Sequence, residues 1–399
     1  MRCGTDVVCR RTHRPGQHHL VREWRDRKGQ QQLQVVHDRL QDHRACHLPG
    51  CFGRFDHGRR GDVVTISNTN TVVKFSNLTL RNGHADYGAG ILNYGTLTLD
   101  HMTLTGNTVT SASLFGDSGG AISNIYPAKL MINDTTIRQN KVSSTLNASL
   151  GGGIVNSGTL TISNSTITRN TVSGVGYKGG VNRSGGGGIY NRGTLRINNC
   201  TLSANKVSAG TGGALSNSGT LTINNGTISG NSATSGGGIS NAGATTLQNS
   251  IVANSAGGNC SGTMTSKVYN LSSDDTCGFS GPGDLNDINP ILGPLQNNGG
   301  PTFTQALPPG TPAIDAGNPS GCRDSNGNLL KTDQRGMPRP DKEDKTGCDM
   351  GAYEQQSAPS CIPQGGLCYG PGGPGYLKCC RAPFPIIRSV VTRLAGGRA

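Results

Sequence analysis

The feature that most constrains this chain is an internal repeat. Six segments align: Gly88–Val109, Gly119–Val142, Gly151–Val172, Gly185–Val207, Gly212–Ala233 and Gly236–Ala256. The third reads GGGIVNSGTLTISNSTITRNTV and the fifth GGALSNSGTLTINNGTISGNSA. An incomplete copy, VVKFSNLTLRNG, precedes them at residues 72–83. Spacing between copies varies from about 24 to 35 residues, and the variation falls in segments such as Ser111–Ser118 and Ser173–Ser184. A unit this short cannot bury its own apolar face, so copies must stack on one another.

Within a copy the apolar residues alternate. Leu160 and Ile162 are two apart, as are Ser165 and Ile167, while Thr159, Thr161 and Thr166 fall on the opposite face. That is the period of a strand buried on one side. Each copy therefore holds three short strands, around GGGI, TLTI and STI. Pairing each strand with its equivalent in the next copy predicts an all-β fold, a parallel β-helix, and the copies resemble the repeats of right-handed, pectin-lyase-like β-helices. The stack should have about seven coils, rising ~4.8 Å per coil. Leu160, Leu195 and Leu221 should then line up inside a common tube.

Asparagine recurs in two columns. One is Asn93, Asn124, Asn156, Asn191, Asn217 and Asn241, and the other is Asn107, Asn140, Asn170, Asn205, Asn231 and Asn254. Asn tolerates left-handed backbone, and in register its amide can bond to the amides above and below. Both columns are expected to be structural ladders.

Charge is unevenly spread. Residues 1–60 hold 13 Lys/Arg against six Asp/Glu, seven of the nine histidines, and no strand alternation. We expect this stretch to be a disordered basic segment or a mis-called start. Met1–Arg14 also lacks the apolar stretch of a secretory signal. No apolar run approaches the length of a membrane-spanning helix. Thirteen cysteines include Cys260 with Cys277 and Cys322 with Cys348, pairs in turn-rich segments without the spacing of a zinc site. They read as disulfides of an exported protein.

GGAI at 119–122 and GGAL at 212–215 resemble the repeats of chlamydial polymorphic outer-membrane proteins. Beyond the coils come NPILGPL (289–295), NNGGPT (297–302), TPAIDAG (311–317), DQRGMPRP (333–340) and CDMGAYE (348–354). This run resembles the C-terminal part of bacterial choice-of-anchor Q domain proteins. The resemblance implies a secreted or cell-surface β-helix, associated with the outer membrane. Asp315, Asp333, Arg335 and Arg339 read as a polar cluster closing the last coil. The expected organisation is a basic segment over 1–60, coils over 61–258, terminal coils and a disulfide-bearing cap over 259–356, and a Cys-rich, truncated knot-like tail over 357–399.

Catalysis by such folds needs clustered carboxylates. Between Thr135 and Ser273 there is no Asp or Glu but there are nine Lys or Arg. Asp100 and Asp134, in neighbouring coils, are the candidate catalytic pair. DSNGN offers Asp324, Asn326 and Asn328 as candidate calcium ligands, with an Asn-Gly turn as the competing reading. Arg138, Arg169, Arg192 and Arg196 are candidate polyanion-binding residues. The leading expectation is a non-catalytic surface scaffold, adhesin-like, binding an acidic glycan or another macromolecule. No cofactor is expected, and nucleic acid is not the expected partner. The alternative is a polysaccharide lyase or glycoside hydrolase.

Overall fold

The computed structural model describes residues 64–356, apart from 86–87, 111–118, 144–149, 175–183 and 342–346. It also describes the backbone of three strands, Val7–Cys9, His19–Arg25 and Gln31–Val36. The chain divides into Met1–Gln356 and Ser357–Ala399. The second unit, with the Cys-rich tail expected there, lies outside the described residues.

One coil shows how sequence makes the path. Gly151, at φ 59°, turns the chain into the strand Ile154–Asn156. A two-residue corner, Ser157-Gly158, leads to the strand Thr159–Ser163. Asn164 then bends the backbone at φ 50°, before Thr166–Thr168. Arg169 bends it again at φ 54°, before Thr171–Val172. The first bend recurs with positive φ at Asn77, His101, Asp134, Asn199, Asn225 and Asn249. The second recurs at Asn82, Gly106, Gln139, Ala204, Gly230 and Asn254. Left-handed backbone strains most L-residues, and Asn pays little, which is why it dominates the first bend.

Equivalent strands pair in parallel. Eight strands, from Val64–Ile66 to Cys260–Ser261, form one sheet, and five short strands, from His84–Ala85 to Lys206–Val207, form another. The third and largest sheet holds the strands on either side of the first bend. Leu130, Leu160, Leu195 and Leu221 are register partners, each at most 1% exposed. Ile132, Ile162, Ile197 and Ile223 form a second inward row. Burying each such side chain contributes roughly 1.5–3 kcal/mol, so the stack is held by rows of like apolar groups.

Polar rows run beside them. In the corner row each Asn donates Nδ2–H to the next Oδ1, from Asn93 to Asn124 at 2.8 Å through to Asn217 to Asn241 at 2.9 Å. The second row runs from Asn107 through Asn140, Asn170 and Asn205 to Asn231, at 2.9–3.1 Å. Asn254 does not belong to it. The pairing of Ser229 with Ala253 puts Ser255 opposite Asn231, and Asn254 is exposed at the second bend. The shared tetrapeptide endings GNSA and ANSA suggested the wrong register by one residue. A third row uses hydroxyls: Met102 N–H donates to Thr135 Oγ1, Thr135 N–H to Ser165 Oγ, and Gly226 N–H to Ser250 Oγ. Cys200 takes the same place, its Sγ accepting from Ser165 N–H at 3.5 Å.

The strands at the start differ from the expectation that residues 1–60 carry none. His19–Arg25 pairs antiparallel with Gln31–Val36, which pairs in parallel with Val72–Ser76. The strand Val72–Ser76 is therefore paired on both sides rather than left as an open edge.

The C-terminal segment does more than close the stack, where Cys260, Met264, Cys277 and Phe279 join the interior core. Ile251, Ala253, Leu271, Leu307, Ala313 and Met350 form an apolar cluster on the last coils. The polar residues do something else: the chain folds back along the outside of the largest sheet as a strap. Thr166 Oγ1 donates to Phe303 O, Thr201 Oγ1 to Gln334 Oε1, Asn199 Nδ2 to Thr332 O, and Asn225 Nδ2 to Arg323 O. Outward Thr and Asn side chains that would otherwise face water thus become partners of a single peptide segment.

Candidate functional site

The strap is fixed by buried charge. Arg335 Nη2 lies 2.7 Å from Asp333 Oδ2, and its guanidinium stacks 3.6 Å from the Tyr353 ring centroid. Arg339 Nε donates to Glu354 Oε2 at 2.7 Å, both side chains fully buried. Asp315 contributes its backbone, whose N–H donates to Asp349 Oδ1. Burial pushes the Asp349 and Glu354 carboxyls above the usual range; Glu354 Oε1 has no hydrogen-bond partner. Two disulfides anchor the region: Cys260–Cys277, with S–S 1.99 Å, and Cys322–Cys348, with S–S 1.98 Å. Asn249 packs on the second, its Nδ2 2.9 Å from Cys322 Sγ and donating to Asp349 O at 2.8 Å. The geometry of this cluster is structural, because the Arg335 and Arg339 guanidiniums bond to Asp333, to Glu354 and to a coil asparagine, Asn199.

Asp324 is likewise occupied. Its Oδ1 accepts from the N–H groups of Asn326 and Asn328, and its Oδ2 from Asn328 Nδ2. Gly327 takes φ 85° inside the loop. The three residues build an Asx turn whose carboxylate faces its own backbone.

The strap covers the first-bend row from Asn249 back to Asn164, where Thr302 Oγ1 donates to Asn164 O. Upstream, the same row holds titratable groups. His101 and Asp134 are successive members of it, and Asp100 precedes His101. His101 Nδ1 is 3.0 Å from Asp100 Oδ1, and Lys74 Nζ is 2.9 Å from Asp100 Oδ2. One ligand atom from each of Asp100, His101 and Asp134 lies within 4.8 Å of the others. Burial works against the Asp100 charge, but the hydrogen bonds from Lys74 and His101 hold its carboxyl below the usual range. Burial raises Asp134, with His101 pulling it down and Asp100 pushing it up. Two carboxyls within 4.8 Å of each other and with opposite shifts are the raw material of acid–base chemistry. The Lys74 ammonium already occupies one side of the group, which disfavours a divalent cation there.

The four candidate arginines do not form one patch. Arg138, the last strand residue before the second bend, and Arg169, at that bend, lie on adjacent coils. Arg192 sits at the corner of its coil, its guanidinium 5.1 Å from the Tyr190 ring centroid. Arg196 lies on the next strand of that coil, opposite Thr161 and Thr222. Arg138, Arg169 and Arg192 are exposed, as are Lys129, Lys141 and Lys206.

A family model for the right handed beta helix region matches residues 62–272, more than half of the chain. The chain belongs to the right-handed β-helix family. The matched span ends in the last paired strand of the stack, Leu271–Ser272, so the strap lies outside it. No curated protein and no solved structure matches the chain. Among the described residues of this β-helix, no helix is long and apolar enough to cross a membrane.

Sequence reasoning missed Lys74, His101, Asp349 and Glu354. Lys74 and His101 were legible only through register, since they join Asp100 from a neighbouring coil and from a bend. Asp349 and Glu354 stood inside the CDMGAYE motif, but nothing local says that this motif returns to the flank.

Proposed function

We propose that this β-helix is an exported surface scaffold that binds an acidic glycan and does no chemistry on it. The observation that carries the reading is the absence of any Asp or Glu between Thr135 and Ser273, in coils whose outer faces display exposed Arg and Lys. Coils that carry one charge sign, even on several faces, concentrate polyanions and hold them by many weak contacts. Two disulfides, Cys260–Cys277 and Cys322–Cys348, support an oxidising compartment. The C-terminal motifs similar to choice-of-anchor Q proteins support the cell surface. A glycan array probed with the full chain tests this. Acidic glycans should be retained, and binding should fall with added salt. Retention of neutral glycans only would refute it.

One observation favours a second reading, glycoside hydrolysis. Asp100 and Asp134 are close and oppositely shifted, as the retaining mechanism requires of carboxyls about 5 Å apart. Asp134 would be the acid and Asp100 the nucleophile. Reducing-end release from polysaccharides, abolished in Asp134→Asn, would establish it; no release from any substrate would exclude it.

A further inference from the structure

Seven corners join the strands of the first sheet to the long strands between Ile66 and Ala244. Five are two residues long and end on glycine: Gly95, Gly158, Gly193, Gly219 and Gly243. The reason is contact between coils: a Cβ on Gly193 would meet Gly158 O at 2.0 Å. The two exceptions are Ser67–Thr71 and Ile125–Ala128, and they are the coils on either side of Tyr94. Each insertion closes as a turn, with Thr71 N–H donating to Asn68 O at 3.0 Å and Ala128 N–H to Ile125 O at 2.8 Å. Their tips, Thr69-Asn70 and Tyr126-Pro127, are exposed.

Tyr94 therefore sits on the floor of a notch, with a projecting turn on each side. The walls are two coil rises apart, roughly 10 Å. The floor is fixed: Tyr94 N–H donates to Ile66 O, and Ile125 N–H to Asn93 O, both at 2.9 Å. One wall is amide and hydroxyl, braced by Asn70 N–H on Asn68 Oδ1. The other is Tyr126, 76% exposed in a chain that is only 4% aromatic. Lys129 follows that wall and is exposed. Asp100, the acidic residue on the strand leaving this corner, lies at its far end and is held by Lys74.

We propose that this notch takes one pyranose ring of a uronate-bearing glycan. Tyr94 would stack on the ring face, the Asn and Thr wall would bond its hydroxyls, and Lys129 would pair with the carboxylate. A single-stranded nucleic acid fits worse, because it needs successive aromatic platforms and this notch is closed on both sides. The assignment rests on the glycan-binding reading and gives it a location.

The test is a titration of the full chain with defined oligouronates, neutral oligosaccharides of equal length and a single-stranded oligonucleotide. Wild type should prefer the oligouronate. Tyr94→Ala and Tyr126→Ala should each lose about tenfold or more in affinity with an unchanged circular dichroism spectrum. Lys129→Ala should erase the preference for the acidic ligand, and Asn254→Gly, at an exposed bend outside the notch, should leave the oligouronate affinity within about twofold. Oligouronate binding that survives both tyrosine variants would sink the notch and spare the glycan reading. A wild type that binds no saccharide would sink both, and preference for the oligonucleotide would overturn the ligand assignment.

Discussion

Arg339 Nη1 donates to Asn199 Oδ1 at 2.9 Å, joining residues 140 apart in sequence. The same guanidinium holds Glu354 through Nε and Gly351 O through Nη2. One buried side chain therefore ties the strap both to itself and to a first-bend asparagine. Arg339→Ala should cost about 3 kcal/mol, since it leaves Glu354 buried without its counter-ion. Hydrogen exchange should show the loss first in the strap and in Thr166–Ser229. The inward rows should stay protected, and uniform loss across all coils would contradict a separable strap.

Acidity should tighten that attachment. Burial raises the Asp349 carboxyl from 3.8 to about 6 in the folded protein. A carboxyl raised on folding binds its proton more tightly in the native state, so its contribution is fully present below about pH 4 and is lost as pH rises through about 6. Chemical denaturation at pH 5 and pH 7 should show more strap stability at the lower value. Asp349→Asn should reduce the difference without abolishing it, because burial also raises the Glu354 carboxyl, to about 8; greater stability at pH 7 in the wild type would contradict the assignment.

The amide rows should be costly to interrupt. Asn156 bonds to Asn124 and Asn191 and to the carbonyls of Gly158 and Thr194. Asn156→Ala should destabilise by about 1–3 kcal/mol in urea unfolding, because it strands buried partners. Asn254→Gly, at an exposed bend with φ 56°, should stay within about 0.5 kcal/mol of wild type. Equal effects at both positions would show that Asn254 belongs to the row after all.

Cys200 should be chemically silent while the fold persists. It is fully buried, and burial pushes its thiol up to about 12. Mass spectrometry of the Cys200 peptide should find no alkylation of the native protein at pH 8 and full alkylation in denaturant. Cys200→Ser should be tolerated within about 1 kcal/mol, since Ser165 and Ser250 already fill this place in other coils.

Periodic features were readable in the sequence because stacking converts repetition into contact. Leu160 and Leu195 meet since each copy places Leu at the same step of the same strand. Asn124 finds Asn156 for the same reason. Features that occur once carry no such signal. The position of the strap depends on Arg339 reaching Asn199 and on Thr201 meeting Gln334, pairs that share no period. The Asp100 group is intermediate: its two carboxyls were visible in neighbouring copies, one residue out of register, while Lys74 and His101 join them only once the coil is built. The notch at Tyr94 arises from two insertions, which read in the sequence as lost regularity.

Among the described residues, the hydrogen bonds of the strap to the coils reach back as far as the coil of Asn164. Rungs beneath the strap are fixed in number, since adding one would pull Gln334 or Arg339 out of reach of its partner. Rungs upstream carry no such tether. Duplication or deletion of a whole rung between Val64 and Lys141 would alter the length of the rod without disturbing its lock, so variation in size among descendants of this chain should accumulate at that end.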